Sequence, residues 1–322
     1  MSQLETTYLG LKLKNPVIVG SSSLTSSIEK IKEIEKAGAG AIVLKSIFEE
    51  QIKFEAGKMA NGSDSPEALD YVNYYVKQNT LQEYLDLIKK AKEEVKIPVI
   101  ASINCVTSKE WTGFAKSIEE AGADALEVNV FVLANDKNAP AEQYENVYFD
   151  LAEKLKNTIN IPFAFKLGQQ FSNLVGFVQK LHVPGVVLFN RFYAPDIDID
   201  KMEFTSSDVF SSPTDIRNSL RWTGIISSKI NNLDIASSTG VHDGRAVVKQ
   251  ILAGASAVQV CSTLYKNGIN HLESIIKELE EWMSKNGYES ISEFKGKMSY
   301  DKIEDPLVYE RSQFMKYFSS IH

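Results

Sequence analysis

Three stretches of this chain share one design: IEKAGAGAIVLKS, IEEAGADALEVNV and ILAGASAVQVCST. In each, an amphipathic helical run stops at a glycine (Gly38, Gly122 or Gly254), and an apolar run follows within a few residues. Glycine takes the left-handed conformation that ends helices, so each stretch reads as a helix-to-strand joint. Other apolar runs start from a proline: NPVIVGSS at Pro16, IPVIASIN at Pro98, IPFAFKLG at Pro162 and VPGVVLFN at Pro184. The missing donor is tolerated at the first position of a strand but not in a central ladder. In all, buried runs fall near Val17, Ile42, Val99, Leu126, Ala164, Val187, Ile235 and Val258. They are almost continuously apolar, as strands covered on both faces must be. The segments between them have helical spacing, as in Tyr144, Val147, Tyr148, Leu151 and Leu155, or Val247, Val248, Ile251 and Leu252. Eight alternations of strand and helix predict an α/β fold, the (β/α)8 TIM barrel. The alternative is an open doubly wound sheet, but no strand-to-helix turn carries GxGxxG and the joint recurs to the end of the chain.

A chain of 322 residues, 43% hydrophobic, can bury one large core, and its length alone fits one domain as well as two; the barrel pattern makes a single domain over residues 1–322 the expectation. Surplus length follows strand two (Ser46 to Asn79) and strand six (Arg191 to Asn218), on the face where βα loops build active sites. Tolerated surface insertions are the bland explanation. For the second, FNRFYAPDIDID mixes aromatics with carboxylates in a way that cannot pack as one helix, which favours function. The net charge of −7 is spread along the chain without a basic run, which argues against nucleic acid or an anionic membrane as partner. Cys105 and Cys261 stand alone, without CxxC pairs or histidines at ligand spacing. No metal site is expected, and the compartment reads as reducing and cytosolic. No basic-then-apolar leader and no run of roughly 20 apolar residues is present, so a soluble cytoplasmic protein is expected.

Polar residues collect where the strands finish: Ser21 to Ser23, Lys45 and Ser46, Asn104, Asn129, Lys166, and Asn190. A single Asn or Lys there is more often a loop cap, but six successive tips that converge in a barrel point to a site. Lys166 lies inside FAFKLG, where an ammonium is costly unless something anionic or electron-rich sits against it. A Schiff-base lysine fits, as does a cation beside a cofactor ring; a buried pair with Glu127 is the least favoured of the three. Strands seven and eight end in ASSTGVHDGR and QVCSTLY. Short hydroxyl residues and Gly240 leave backbone N–H groups at the starts of the following helices, an arrangement that binds phosphate. Helix capping by Asp243 would account for one of these ends but not for both.

Together these features resemble the FMN-binding barrel of dihydroorotate dehydrogenases and the matching domain of dihydropyrimidine dehydrogenases. The likeness is strongest in SINCVTSKEWTGFAKSIEEAGADALEVNV and extends to GYESISEFKGKM. The resemblance implies FMN bordered by Gly20 and Ser21 and contacted by Lys45 and Ser46. It places Asn129 on cofactor or substrate, Lys166 at the N1 and O2 edge of the ring, and Thr239, Gly240, Cys261 and Ser262 at the phosphate. Asn73, Asn79 and Asn190 would face a small-molecule substrate, and a homodimer is implied. The family's strand-four motif, Asn-Leu-Ser-Cys-Pro-Asn, carries its proton-abstracting base as the cysteine, or as a serine in some members. Aligned on Asn129, this chain has Val132 at that base and Ala134 at the second asparagine, and neither can carry a proton. Tyr193, Asp196, Asp136 and His242 are the replacement carriers to consider. Three functions follow: an FMN oxidoreductase of the dihydroorotate dehydrogenase kind, a cofactor-free barrel lyase or aldolase using Lys166, or a flavin-binding protein without catalysis. The electron acceptor is left open.

Overall fold

A computed structural model describes residues 4–48, 66–104, 108–130, 132–191, 195–206 and 208–310. The expected strands form one ring: β1 Val17–Val19, β2 Ala41–Val43, β3 Val99–Asn104, β4 Ala125–Asn129, β5 Phe163–Leu167, β6 Gly185–Leu188, β7 Asp234–Ser237 and β8 Ala257–Val260. Every neighbouring pair is parallel, and β8 pairs with β1 (Val258 opposite Val17) to close the barrel. Around it lie α1 Ile28–Lys36, α2 Pro66–Glu94, α3 Ser108–Glu120, α4 Ala141–Lys156, α5 Leu174–Leu181, α6 Ile216–Lys229, α7 Gly244–Ala253 and α8 His271–Lys285. The three joint glycines have φ of 99°, 95° and 115°, the left-handed region their sequence position requires. The helices bury the stripes read from their spacing: Tyr148, Leu151 and Leu155 on α4, and Val247, Val248 and Ile251 on α7. Val147 lies off that stripe and is exposed.

The pleat sorts the barrel interior into layers. Ile18, Val43, Ile100, Ala125, Ala164, Val187, Ala236 and Ala257 form a lower apolar layer. A hairpin of Thr6–Tyr8 and Leu11–Leu13 packs Tyr8, Leu9 and Leu13 against it. Thr6 Oγ1 donates to Ser256 O and the Leu9 N–H to Asp234 Oδ2, so the hairpin caps the end where β7 and β8 begin. Two residues further along their strands, and so on the same inward face, Ser102, Glu127, Lys166 and Gln259 form a buried polar layer.

The two insertions differ in kind. After β2, Ile47–Phe48 pairs with the end of β3, and α2 already runs from Pro66. No glycine or proline follows Pro66 before Lys96, so nothing stops this helix, and Asn73 and Asn79 lie within it rather than on a substrate loop. After β6 the chain makes an antiparallel hairpin, Pro195–Asp198 with Glu203–Ser206, whose paired Ile197 and Phe204 are both exposed.

Candidate active site

The tips of β1, β2, β5, β6, β7 and β8 surround a cavity of about 630 Å3. Ser21, Lys45, Lys166, Asn190, Thr239, Gly240, Cys261 and Ser262, all named from the sequence, line it. The structure gathers them because each ends a strand of one closed ring. Gly20 sits just below and donates its N–H to Val260 O.

Lys166 makes the pair that its sequence context least favoured. Its Nζ donates to Glu127 Oε1 at 3.0 Å and to Gln259 Oε1 at 3.1 Å, while Gln259 Nε2 donates to Glu127 Oε2. These three residues on β4, β5 and β8 thus close a hydrogen-bonded ring across the barrel. The correction has a simple cause, since all three point inward from the same layer and a buried ammonium requires a counter-charge there. Lys166 and Gln259 still line the cavity, with Glu127 beneath them. Gln259 was missed, although ALE, AFK and AVQ each place a polar residue two positions beyond a small inward alanine.

Lys45 is exposed at the mouth, and its ammonium makes no hydrogen bond or ion pair with any described residue. Beside it the hydroxyls of Ser21, Ser46 and Ser102 form a chain, with oxygens 3.1 and 2.7 Å apart. Ser46 lines a neighbouring cavity of about 510 Å3 rather than the main one. Asn129 is buried and reaches the main cavity only through Asn190, whose Nδ2 donates to Asn129 Oδ1 at 2.7 Å. Asn79 is exposed on α2 and donates to Glu83, lining neither cavity.

At the β7 tip, Thr239 and Gly240 both have left-handed φ (77° and 78°). Thr239 Oγ1 donates to Phe189 O, which pins this unfavourable backbone for a β-branched residue. A Cβ on Gly240 would meet Ile216 N at 2.1 Å, so this glycine is required by packing against the start of α6. The backbone N–H groups of Thr239, Gly240 and Val241 donate to no acceptor among the described residues. At the start of α7, in contrast, two donors are occupied: Asp243 Oδ1 accepts from Ala246 N and Glu278 Oε2 from Gly244 N. The strand-seven loop thus presents three consecutive N–H groups without an acceptor among the described residues.

The segment Asp208 to Ser211, also missed from the sequence, crosses the cavity as a strap. Ser211 N donates to Ser262 Oγ, Lys266 Nζ to Ser211 O, and the Arg191 guanidinium to Asp208 O and Asp215 Oδ2. Phe210 stacks on Tyr265. Burial raises the Cys261 thiol above its ordinary range, so it lies against the site as a neutral group.

The candidate proton carriers among the described residues do not converge on this cavity. Asp196 Oδ1 accepts from the neighbouring Ile197 N–H, Asp136 Oδ1 from Asn138 N, and both carboxylates are exposed. His242 Nε2 lies 3.1 Å from Ser211 Oγ, behind the strap. Tyr193 is outside the described residues, as is Cys105. Val132 and Ala134 line a separate cavity of about 220 Å3 with Tyr144, Tyr148 and Phe171. Among the described residues, no group of histidine, cysteine and carboxylate side chains is placed to hold a metal, and no helix is long and apolar enough to cross a membrane.

The family model described as dihydroorotate dehydrogenase matches residues 3–283. The chain belongs to the dihydroorotate dehydrogenase family. It is an oxidoreductase of that family. The catalytic subunit of dihydroorotate dehydrogenase B (NAD(+)) from Thermoplasma volcanium is 27% identical over 307 residues, covering 92% of this chain and 98% of the relative. Its counterpart from Pyrococcus abyssi is 27% identical over 307 residues, covering 91% and 98%. Dihydroorotate dehydrogenase A (fumarate) from Lactococcus lactis is 25% identical over 324 residues, covering 92% and 99%. These family members are named for different electron acceptors, so likeness to them does not select one for this chain.

Proposed function

We propose that this chain is a single-domain FMN-dependent oxidoreductase, acting on dihydroorotate or another small cyclic substrate by oxidation or reduction at a carbon–carbon bond. The observation that carries this reading is the meeting, in one cavity, of Lys45 and Lys166 with three backbone N–H groups, at Thr239 to Val241, that have no acceptor among the described residues. Free N–H groups on a strand-seven loop suit a phosphate, and Ser262 with its hydroxyl borders the same end. A volume of about 630 Å3 lies within the range of cofactor pockets. FMN, when bound, supplies the hydride-accepting ring.

The chain's own residues do the rest. Lys166, fixed by Glu127 and Gln259, holds a positive charge at the cavity floor, where negative charge on a reduced ring is stabilised. Lys45, whose ammonium has no partner among the described residues, is available to orient an anionic substrate. Asn190, braced by Asn129, presents an amide to the substrate side. The strap Asp208 to Ser211 excludes water from the phosphate end. A proton from the substrate would have to leave without the family's base, because position 132 is valine and faces another cavity. The aldolase alternative is disfavoured by the Lys166 ring: a Schiff-base nucleophile needs a nitrogen free to reach a carbonyl, and this Nζ is held between two acceptors on different strands. A cytosolic location, read from the lone cysteines, and a homodimer, implied by resemblance, belong to the same proposal.

The test is the absorption spectrum of the purified protein and identification of the released chromophore. Non-covalent FMN supports the reading; a colourless protein that gains no flavin spectrum on titration with FMN refutes it.

A further inference from the structure

Within the inward polar layer, Glu127 has the least evident purpose. It is 2% exposed and does not line the cavity, yet both of its oxygens are occupied, Oε1 by Lys166 Nζ and Oε2 by Gln259 Nε2. A carboxylate taken out of water is costly, and a lysine at a strand tip could have reached solvent. Three consequences follow from the ring geometry. Lys166 is held in one orientation, since two acceptors on different strands fix its Nζ. The positive charge felt in the cavity is not that of an isolated ammonium, because a negative charge 3.0 Å behind it converts much of its field into that of a short dipole. Gln259, which supplies a donor to Glu127 and an acceptor to Lys166, keeps the two in register and turns no further charge toward the cavity.

We propose that Glu127, held by Gln259, is a positioning residue that sets the reduction potential of the flavin by fixing Lys166 and offsetting its charge. This rests on the FMN reading above. It adds that the floor of the site is tuned downward from what Lys166 alone would impose, so that reduced cofactor passes its electrons on readily. Glu127 touches neither cofactor nor substrate and acts through Lys166.

The variant Glu127→Gln keeps the shape and an acceptor for Lys166 while removing the negative charge. In the FMN-loaded protein, its two-electron reduction equilibrium should shift toward the reduced form at least about tenfold, a rise of about 30 mV. Sulfite, which adds to the oxidised ring more tightly as the ring becomes more electron-poor, should bind at least about tenfold tighter. The dissociation constant of FMN should change much less, because the phosphate end is untouched. Gln259→Glu provides the opposite sign once measured at a pH high enough to remove the proton that its carboxyl would share with Glu127: the second negative charge beside Lys166 should then lower the potential and weaken sulfite binding. These opposed shifts would not arise if the ring served packing alone. If the proteins bind FMN but the potential and sulfite affinity of Glu127→Gln stay within about twofold of the parent equilibrium constants, Glu127 is a structural counter-ion only and the proposal fails. If Glu127→Gln does not fold, Gln259→Glu decides, and an unchanged or raised potential there overturns the inference. Absence of flavin binding in the unmodified protein would instead remove the functional reading on which the inference stands.

Discussion

Asn190 donates its side-chain amide to the side-chain oxygen of Asn129 at 2.7 Å, tying the tip of β6 to the tip of β4 across the intervening β5. The Asn190 N–H also donates to Leu167 O, at the end of β5. Three strand tips are thereby fixed by one residue that faces the cavity.

The first prediction concerns this brace. Replacing Asn129 by Ala removes the acceptor and leaves a partly buried amide without its partner, which should cost about 1–3 kcal/mol of stability. Urea unfolding of Asn129→Ala and Asn190→Ala measures it. Wild-type midpoints in both would mean that the 2.7 Å contact does not bear on folding.

Dihydroorotate should reduce the bound flavin at least about a hundredfold more slowly than in a family member that has the base, the lower bound for loss of general-base catalysis. Anaerobic stopped-flow reduction reads this directly. Restoring Val132→Cys should recover little, because position 132 lines the small cavity with Tyr144, Tyr148 and Phe171 instead of the main one. Fast reduction in the unmodified protein would refute the assignment and direct attention to a loop group such as Tyr193.

Gly240 should tolerate no side chain. Alanine there meets Ile216 N at 2.1 Å and must adopt φ 78°, which by itself costs about 1–2 kcal/mol, and the clash adds to that. Gly240→Ala should therefore lower the thermal midpoint and, by shifting the strand-seven loop, weaken FMN binding. Unaltered stability with weaker flavin binding would restore the simpler view that this glycine only makes room for a phosphate.

Acid should loosen the strap. Burial, and then the charge of Lys266, lower the His242 pKa, so the folded protein prefers the neutral ring. A folded pKa below the unfolded value means the unfolded chain binds the proton more readily. The contribution is present above the unfolded pKa of about 6.5 and is lost as pH falls through the folded one. Between pH 7.5 and 5.5 the urea midpoint should drop more for the native chain than for His242→Asn. Parallel pH profiles would show that His242 does not participate.

Much of this architecture is legible along the chain, because the glycine-terminated joints and proline-started strands are local signals that the closed ring then satisfies in register. The site was legible for the same reason: a residue just past the last apolar position of a barrel strand faces the common mouth. Three things were not readable in this way. The Lys166–Glu127–Gln259 ring joins positions up to 132 apart in sequence, and its partners are set by the layering of the pleat. Asn79 matched a motif by spacing, but a helix free of glycine and proline carried it away from the site. The strap depends on distant hydrogen bonds from Arg191 and Lys266, which no periodicity announces.

The hairpin that lodges Tyr8 in the lower end of the barrel plugs that end. Tyr8 is 1% exposed and Leu9 is 4% exposed, so among the described residues no path runs along the barrel axis from that end to the polar layer. Whatever enters or leaves the cavity does so on the opposite face, where Lys45 and the strap lie. Two reactants that need the same floor must take turns there, and the order of their arrivals and departures becomes a property of the plug as much as of the residues that touch them.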